Sequence, residues 1–194
     1  MAGAQHLKKG IPTFIHEANS FAGKSNVLLA KGATKVFTAI DGMEAFFPAE
    51  KIVVTGNPVR AAIKGAASVS REEALNSFGL SAERKTVLIV GGSLGARSIN
   101  EAVRSGLEAL LDADLQLIWQ TGNSNATVYA DAAKGKAAVW VSPFINNMEA
   151  AYAAADVVVA RAGAMTVAEL SVVQKPVVFV PYPHAAEDHQ TVNA

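Results

Sequence analysis

Short apolar runs rich in Val and Ile alternate along this chain with longer, alanine-rich stretches. The runs at Thr13–His16, Val36–Ile40, Lys51–Thr55, Thr86–Val90, Gln116–Thr121, Ala138–Ser142, Val157–Ala160 and Val177–Val180 predict strands. Several are almost wholly apolar, as in Thr-Val-Leu-Ile-Val at 86–90 and Pro-Val-Val-Phe-Val at 176–180. Strands with no polar face belong in a parallel sheet covered by helices on both sides. The stretches Arg71–Phe78, Ala96–Leu111, Asn125–Lys134, Met148–Ala155 and Met165–Val173 combine good helix formers with apolar residues at helical spacing, and predict helices. Regular β/α alternation predicts an α/β fold with doubly wound parallel sheets.

The rhythm breaks after Asn57-Pro58, a turn signal, and Lys64-Gly-Ala-Ala-Ser-Val-Ser70 is small and polar without a strong period. Residues 61–70 are therefore expected to be a linker between two domains, 1–60 and 71–194. The first has about three strands, few for an independent sheet. The second has five strand–helix units and is expected to be the more complete.

Composition narrows the function. Lys plus Arg and Asp plus Glu are 17 each, so the net charge is zero, which argues against a nucleic-acid partner. Cysteine is absent, which removes disulfides, thiolate nucleophiles and thiolate metal sites together. Hydrophobic residues make up 51% of the chain, with 37 alanines, and charged residues 18%, which marks a globular chain. Met1–Gly10 lacks the apolar centre of a signal peptide. No apolar stretch reaches the roughly 18–20 residues a membrane span needs, so membrane contact is expected to be peripheral.

The strongest chemical signal is Thr86-Val-Leu-Ile-Val-Gly-Gly-Ser-Leu-Gly-Ala-Arg-Ser-Ile-Asn100, a buried strand running through a glycine turn into a helix. Glycines let a backbone approach a ligand closely, and the unpaired N–H groups of a helix start suit a phosphate or diphosphate, with Ser93 as an added donor. The same pattern also serves as a tight turn with no ligand. No Gly-Lys-Ser/Thr follows, so it is not a Walker A loop. The spacing is GGxxGA and no acid ends the next strand, which weakens a dinucleotide reading. In Asp156-Val-Val-Val-Ala-Arg-Ala-Gly-Ala-Met-Thr-Val-Ala-Glu-Leu170 a second strand enters a small-residue loop and a helix, and Glu169 is placed to accept two hydroxyls, as from a ribose, or simply to answer the helix dipole. Near the end, His184, Glu187, Asp188 and His189 read as capping groups or sugar contacts rather than metal ligands, and Asp188 and Gln190 can each bond sugar hydroxyls. His16 and Glu17 end a strand, as a ligand contact or as a pair holding a loop, and Arg60 can reach a diphosphate. Phe46-Phe47-Pro48 reads as core packing rather than a membrane patch.

Five strings in order, IHEAN, VVTGNPVR, GGSLGARSIN, RAGAMTVAEL and PYPHAAEDHQTVNA, resemble the MurG family of bacterial glycosyltransferases across nearly the whole chain. The resemblance implies a GT-B fold of two Rossmann-like domains, with 1–60 the later part of the acceptor-side domain and 71–194 most of the UDP-sugar domain, both shortened. It implies an inverting transfer of N-acetylglucosamine from UDP-N-acetylglucosamine to a muramyl-pentapeptide on undecaprenyl diphosphate, at the cytoplasmic face of the bacterial membrane, with no cofactor and no metal. In that family's pattern Ser93 and the Gly91–Ala96 turn hold the diphosphate, assisted by Arg60. Ile145 meets the uracil through its backbone. Ala164, Met165, Thr166, Val167, Ala168 and Glu169 contact ribose and sugar, Gln190 the N-acetylglucosamine, and Asn19 the donor from the other domain.

Ala18 stands where the family usually has Gln. Nothing matches the Gly-rich loop that binds the acceptor diphosphate and houses the expected general base, so the base is unassigned and this chain alone is expected to turn over little. Two alternatives remain: a UDP-sugar-binding fragment without turnover, and another GT-B enzyme such as an epimerase or glycolipid transferase. The detail of GGSLGARSIN and of the terminal string disfavours the last.

Overall fold

The computed structural model describes residues 11–92, 94–183 and 189–194. Its organisation follows from strands with no polar face. On β4 (Lys85–Val90) the residues alternate between two cores, Leu88 and Val90 packing into one, Val87 and Ile89 into the other. β5 (Leu115–Gln120) follows the same alternation, with Ile118 between the buried amides of Gln116 and Gln120 on the first side and Leu117 and Trp119 on the second. Period-two alternation between two apolar faces requires a covering layer on each.

Among the described residues the chain forms two all-parallel sheets. The smaller joins β1 (Phe14–Glu17), β2 (Lys35–Thr38) and β3 (Ile52–Val54) in that order. The larger adds β6 (Val139–Ser142), β7 (Val157–Ala160) and β8 (Val177–Phe179), in the order β6-β5-β4-β7-β8. The chain winds outward from β4 to β6, then returns to the other side of β4 for β7 and β8. The reversal lies between β4 and β7, and ligands in such sheets bind beyond the carboxyl ends of the strands at that point.

Contacts divide the described residues into two compact units. The first comprises 11–58, Gly163–Met165 and the described residues of 182–194, and the second Val59–Ala162 and Thr166–Pro181. In the second unit, α4 (Arg97–Asp112) buries Ile99, Asn100, Val103 and Leu107 along one stripe, as its helical period requires. α6 (Met148–Ala154) buries five consecutive residues, Ala150 to Ala154, which the small alanine side chains permit. α3 (Arg71–Ser77) is capped by Ser70, whose side chain accepts from Glu73 N–H. α5 (Ala126–Ala133) and α7 (Ala164–Val173) complete the pattern expected from sequence, with boundaries shifted by a residue or so.

Two stretches differ from expectation. Residues 61–68, read as linker, form α2 (Ala61–Lys64) and a 3-10 turn at Gly65–Ser68, with Ile63 and Ala66 inside the core beneath β4. Four residues are too short to show a period, so only burial reveals them. In the first unit, α1 (Lys24–Ala30) is only seven residues long and carries two weak helix formers, Ser25 and Asn26, in its first turn, and it escaped detection for that reason. The side chain of Glu17, at the end of β1, secures its start by accepting from Gly23 N–H. Phe47 is buried in the core of this unit, and Phe46 stacks edge-on against Phe21 at 4.9 Å. No helix among the described residues is long and apolar enough to cross a membrane.

Ile63 is fully buried. Ile63→Ala is expected to lower stability by about 2–4 kcal/mol in urea unfolding; a change within about 0.5 kcal/mol would mean that 61–68 is a solvated connector.

Candidate functional site

The carboxyl ends of β4 and β5 are locked together backbone to backbone. Gly95 has φ +77°, and a β-carbon there would run into the Thr121 carbonyl; Gly122 has φ +73°, and one there would run into the Leu94 carbonyl. Only glycine fits both positions. Side chains then fix the turn. Asn100, on the first turn of α4, donates to Thr121 O at 2.7 Å and accepts from the Trp119 indole at 3.0 Å, entirely within the core. Gln120, ending β5, donates to Gly92 O at 3.0 Å and accepts from Ile145 N–H at 3.4 Å. The glycine turn before α4 and the loop after β6 are thus held by one amide. Arg161, just past β7, donates to Val180 O and Pro181 O at 2.9 and 2.8 Å and to Ser98 Oγ at 2.8 Å, tying the ends of β7 and β8 to the first turn of α4. The start of this sixteen-residue helix is a place where N–H groups and the helix dipole favour an anion.

Glu169 sits on the second turn of α7. Its Oε2 accepts from the buried Tyr152 hydroxyl at 3.0 Å, and its Oε1 lies 3.4 Å from Arg60 Nη2. Glu169 is 14% exposed in its side chain and Arg60 60%. Burial, and then the Glu169 charge, push the Tyr152 phenol far above its usual range, so Tyr152 remains a donor at physiological pH. The Arg60 guanidinium is on Glu169 in this structure, with freedom to swing because it is largely in solvent.

In the first unit the HEAN string is a loop anchor. Glu17 is buried and its two oxygens accept from Asn19 N–H, Asn19 Nδ2, Gly23 N–H and Asn26 Nδ2 at 2.9–3.1 Å. Burial works to raise its pKa, but the donors from Gly23, Asn19 and Asn26 outweigh this and hold it below the ordinary carboxylate range. Of the two options open in sequence, Glu17 takes the one that holds a loop. His16 Nε2 lies 3.2 Å from Gly56 O, which links the ends of β1 and β3. Asn19 Oδ1 accepts from Asn193 Nδ2 at 3.2 Å, and Asn193 Oδ1 accepts from Ser20 N–H at 3.2 Å. Asn193 belongs to α8 (His189–Asn193), which also carries Gln190; Gln190 Oε1 accepts from Tyr182 N–H at 2.9 Å.

The expected site residues therefore fall into two sets. Asn19, Ala164, Met165 and Gln190 belong to the first unit, and Arg60, Ile145, Thr166, Val167, Ala168 and Glu169 to the second. Arg60 and Glu169 are brought together, and Asn19 meets the helix that carries Gln190. The Ile145 side chain is buried, so a ligand there meets main chain. Ser93, His184, Glu187 and Asp188 lie outside the described residues. Sequence reasoning missed Asn100, Gln120, Tyr152 and Arg161. The signal for Gln120 and Asn100 was a polar residue among apolar neighbours; Tyr152 gave none beyond being an aromatic in an alanine-rich helix.

A sequence model of the glycosyltransferase family 28 C-terminal domain matches residues 86–194. A relative from Parabacteroides distasonis, named as a UDP-N-acetylglucosamine--N-acetylmuramyl-(pentapeptide) pyrophosphoryl-undecaprenol N-acetylglucosamine transferase, is 53% identical over 189 residues, 96% of this chain and 51% of its own length. One of the same name from Phocaeicola vulgatus is 50% identical over 192 residues, covering 95% and 50%. The crystal structure of Acinetobacter baumannii MurG superposes with a TM-score of 0.67 at 33% identity, over 98% of this chain and 52% of that one. The chain thus spans about half the length of the curated relatives it matches. The parallel α/β fold is that of the GT-B glycosyltransferases.

At the opposite, amino end of the larger sheet, Asp156 accepts from Thr86 N–H, Lys85 Nζ and Arg71 Nη2 at 2.9–3.0 Å. Burial works to raise its pKa, and the bonds from Thr86, Lys85 and Arg71 win and lower it. A folded-state pKa below the unfolded one adds stability above about pH 4 that is lost as the pH falls through the folded value. Asp156→Asn is therefore expected to be less stable at pH 7 and to lose less on acidification below about pH 4 than the unsubstituted chain, in denaturant melts across that range. Parallel pH profiles would show that Asp156 carries no such linkage.

Proposed function

Because the chain belongs to glycosyltransferase family 28, we propose that it supplies the donor-binding side of an inverting transfer of N-acetylglucosamine from UDP-N-acetylglucosamine to a lipid-linked muramyl-pentapeptide, a step of peptidoglycan synthesis and so of cell shape and division. The observation that carries this is the family match over 86–194, which takes in both the glycine turn at the start of α4 and the Glu169 carboxylate. Relatives that are 53% and 50% identical over the half of their length this chain spans bear the name of that transfer. In this reading 1–60 is the later part of the acceptor-side domain, 61–70 a connection that packs into the second unit through Ile63 and Ala66, and 71–194 the UDP-sugar domain.

The chemistry follows from where charge develops. As the acceptor hydroxyl attacks the anomeric carbon, the bond to UDP breaks and negative charge grows on the diphosphate. Fixed N–H groups of the Gly91–Ala96 turn and the α4 start, with the Ser93 hydroxyl, stabilise that charge without reorganising. Arg60 adds a cation by leaving Glu169 as the ribose hydroxyls take its place. The Ile145 main chain receives the uracil. Ala164, Met165, Thr166, Val167 and Ala168 line the ribose and sugar, and Gln190 and Asn19 reach the sugar. The general base that takes the acceptor proton has no assigned residue in this chain.

We assign the protein a peripheral place at the cytoplasmic face of the bacterial membrane, where an undecaprenyl-diphosphate-linked acceptor resides. An apolar groove of about 610 Å³ in the first unit, lined by Phe21, Val27, Leu28 and Phe46 with Lys24 and Lys31, supports this. Apolar side chains beside cations suit an anionic lipid surface.

Titration calorimetry tests the donor site. UDP-N-acetylglucosamine is expected to give saturable heat, and Ser93→Ala to weaken UDP by about tenfold. Absence of heat at millimolar ligand would sink the donor-binding reading; unchanged affinity in Ser93→Ala would remove the diphosphate from this turn.

A further inference from the structure

Tyr152 has no role in any of the motifs above, yet it occupies an unusual place. It is 1% exposed, in the middle of five consecutive buried residues on α6 whose other four members are alanines. A phenol at such a position brings a hydroxyl into a core that otherwise asks only for a small apolar side chain, and a buried hydroxyl needs a partner. Its partner is Glu169 Oε2, 3.0 Å away. The two carboxylate oxygens of Glu169 therefore differ. One is held from within by a rigid, buried donor. The other faces Arg60 at 3.4 Å, a long contact from a side chain that is 60% exposed and easily displaced.

We infer that Tyr152 is a positioning residue for donor recognition: it clamps Oε2 of Glu169 so that Oε1 is presented as the acceptor for the hydroxyls of a nucleotide ribose. This rests on the proposal that Glu169 binds ribose. A carboxylate free to rotate would spend part of its time paired with Arg60 through either oxygen, and a vicinal diol would have to order it on binding. With Oε2 fixed, the ligand has only to displace Arg60, which is then released towards the leaving diphosphate. The donor survives any physiological pH, because Tyr152 remains protonated throughout that range.

The test compares UDP with 2′,3′-dideoxy-UDP, which lacks the hydroxyls in question, by calorimetry on the 194-residue chain. Tyr152→Phe keeps the ring and removes only the hydroxyl; Tyr152→Met, which fills similar space without a hydroxyl, is the second variant should the first not fold. Circular dichroism and the melting temperature establish that each is folded. The inference expects UDP affinity to fall about tenfold while dideoxy-UDP affinity changes less than about twofold. It also expects Tyr152→Phe to have no further effect in a Glu169→Gln background. A structural role alone would weaken both ligands equally or neither, and either result overturns the inference. If Glu169→Gln abolishes the preference for UDP over dideoxy-UDP and Tyr152→Phe leaves it intact, the clamp is wrong and the ribose assignment stands. If Glu169→Gln leaves the preference unchanged, the ribose assignment itself fails, and the clamp with it.

Discussion

The larger unit depends on a central strand that is apolar on both faces. Once Val87 and Ile89 must be covered on one side and Leu88 and Val90 on the other, helices occupy both faces of the sheet. Polar chemistry is then confined to the strand ends. The two ends have been put to different use. At the amino end Asp156 gathers two cations and a backbone N–H from the start of β4 and from α3. At the carboxyl end the polar groups are Gln120, Asn100, Arg161 and Glu169, and there the main chain turns around glycine.

Three carboxylates show how similar groups diverge with their surroundings. Glu17 is buried and saturated by four donors from its own loop, so it is committed to structure. Asp156 is shared between two cations and an amide, so it ties one strand end to its neighbours and depends on pH. Glu169 has one oxygen engaged by a buried phenol at 3.0 Å and the other by an exposed arginine at the longer distance of 3.4 Å. Fewer and longer contacts, more than depth of burial, separate the acid with a candidate ligand role from the two that hold the fold.

The parallel strands were legible because double-sided burial leaves Val-rich runs in the sequence, and the glycine turn because Gly91-Gly92 and Gly95 follow such a run directly. Glu169 was legible by its place early in a helix after a buried strand. Other features were not, for physical reasons. Ile63 and Ala66 are core residues on segments too short to carry a period. α1 is short, has weak formers at Ser25 and Asn26, and relies on a carboxylate from the preceding strand. Arg60 read as a diphosphate ligand because an arginine at a strand end suggests one; its pairing with Glu169 joins residues 109 positions apart, which no local pattern encodes. Tyr152 looked like packing because its ring does pack, and only three-dimensional proximity exposes the use of its hydroxyl.

The closest approach between the turn before α4 and the end of β5 is main chain on main chain, Gly95 against Thr121 and Gly122 against Leu94. At those two positions point mutation has no fine adjustment: any residue larger than glycine breaks the approach, and no choice of residue adjusts it by a fraction of an ångström. The spacing of these two strand ends is therefore set by the backbone. Variation at this end of the sheet is left to the exposed side chains beside that approach, such as Leu94 and Phe144.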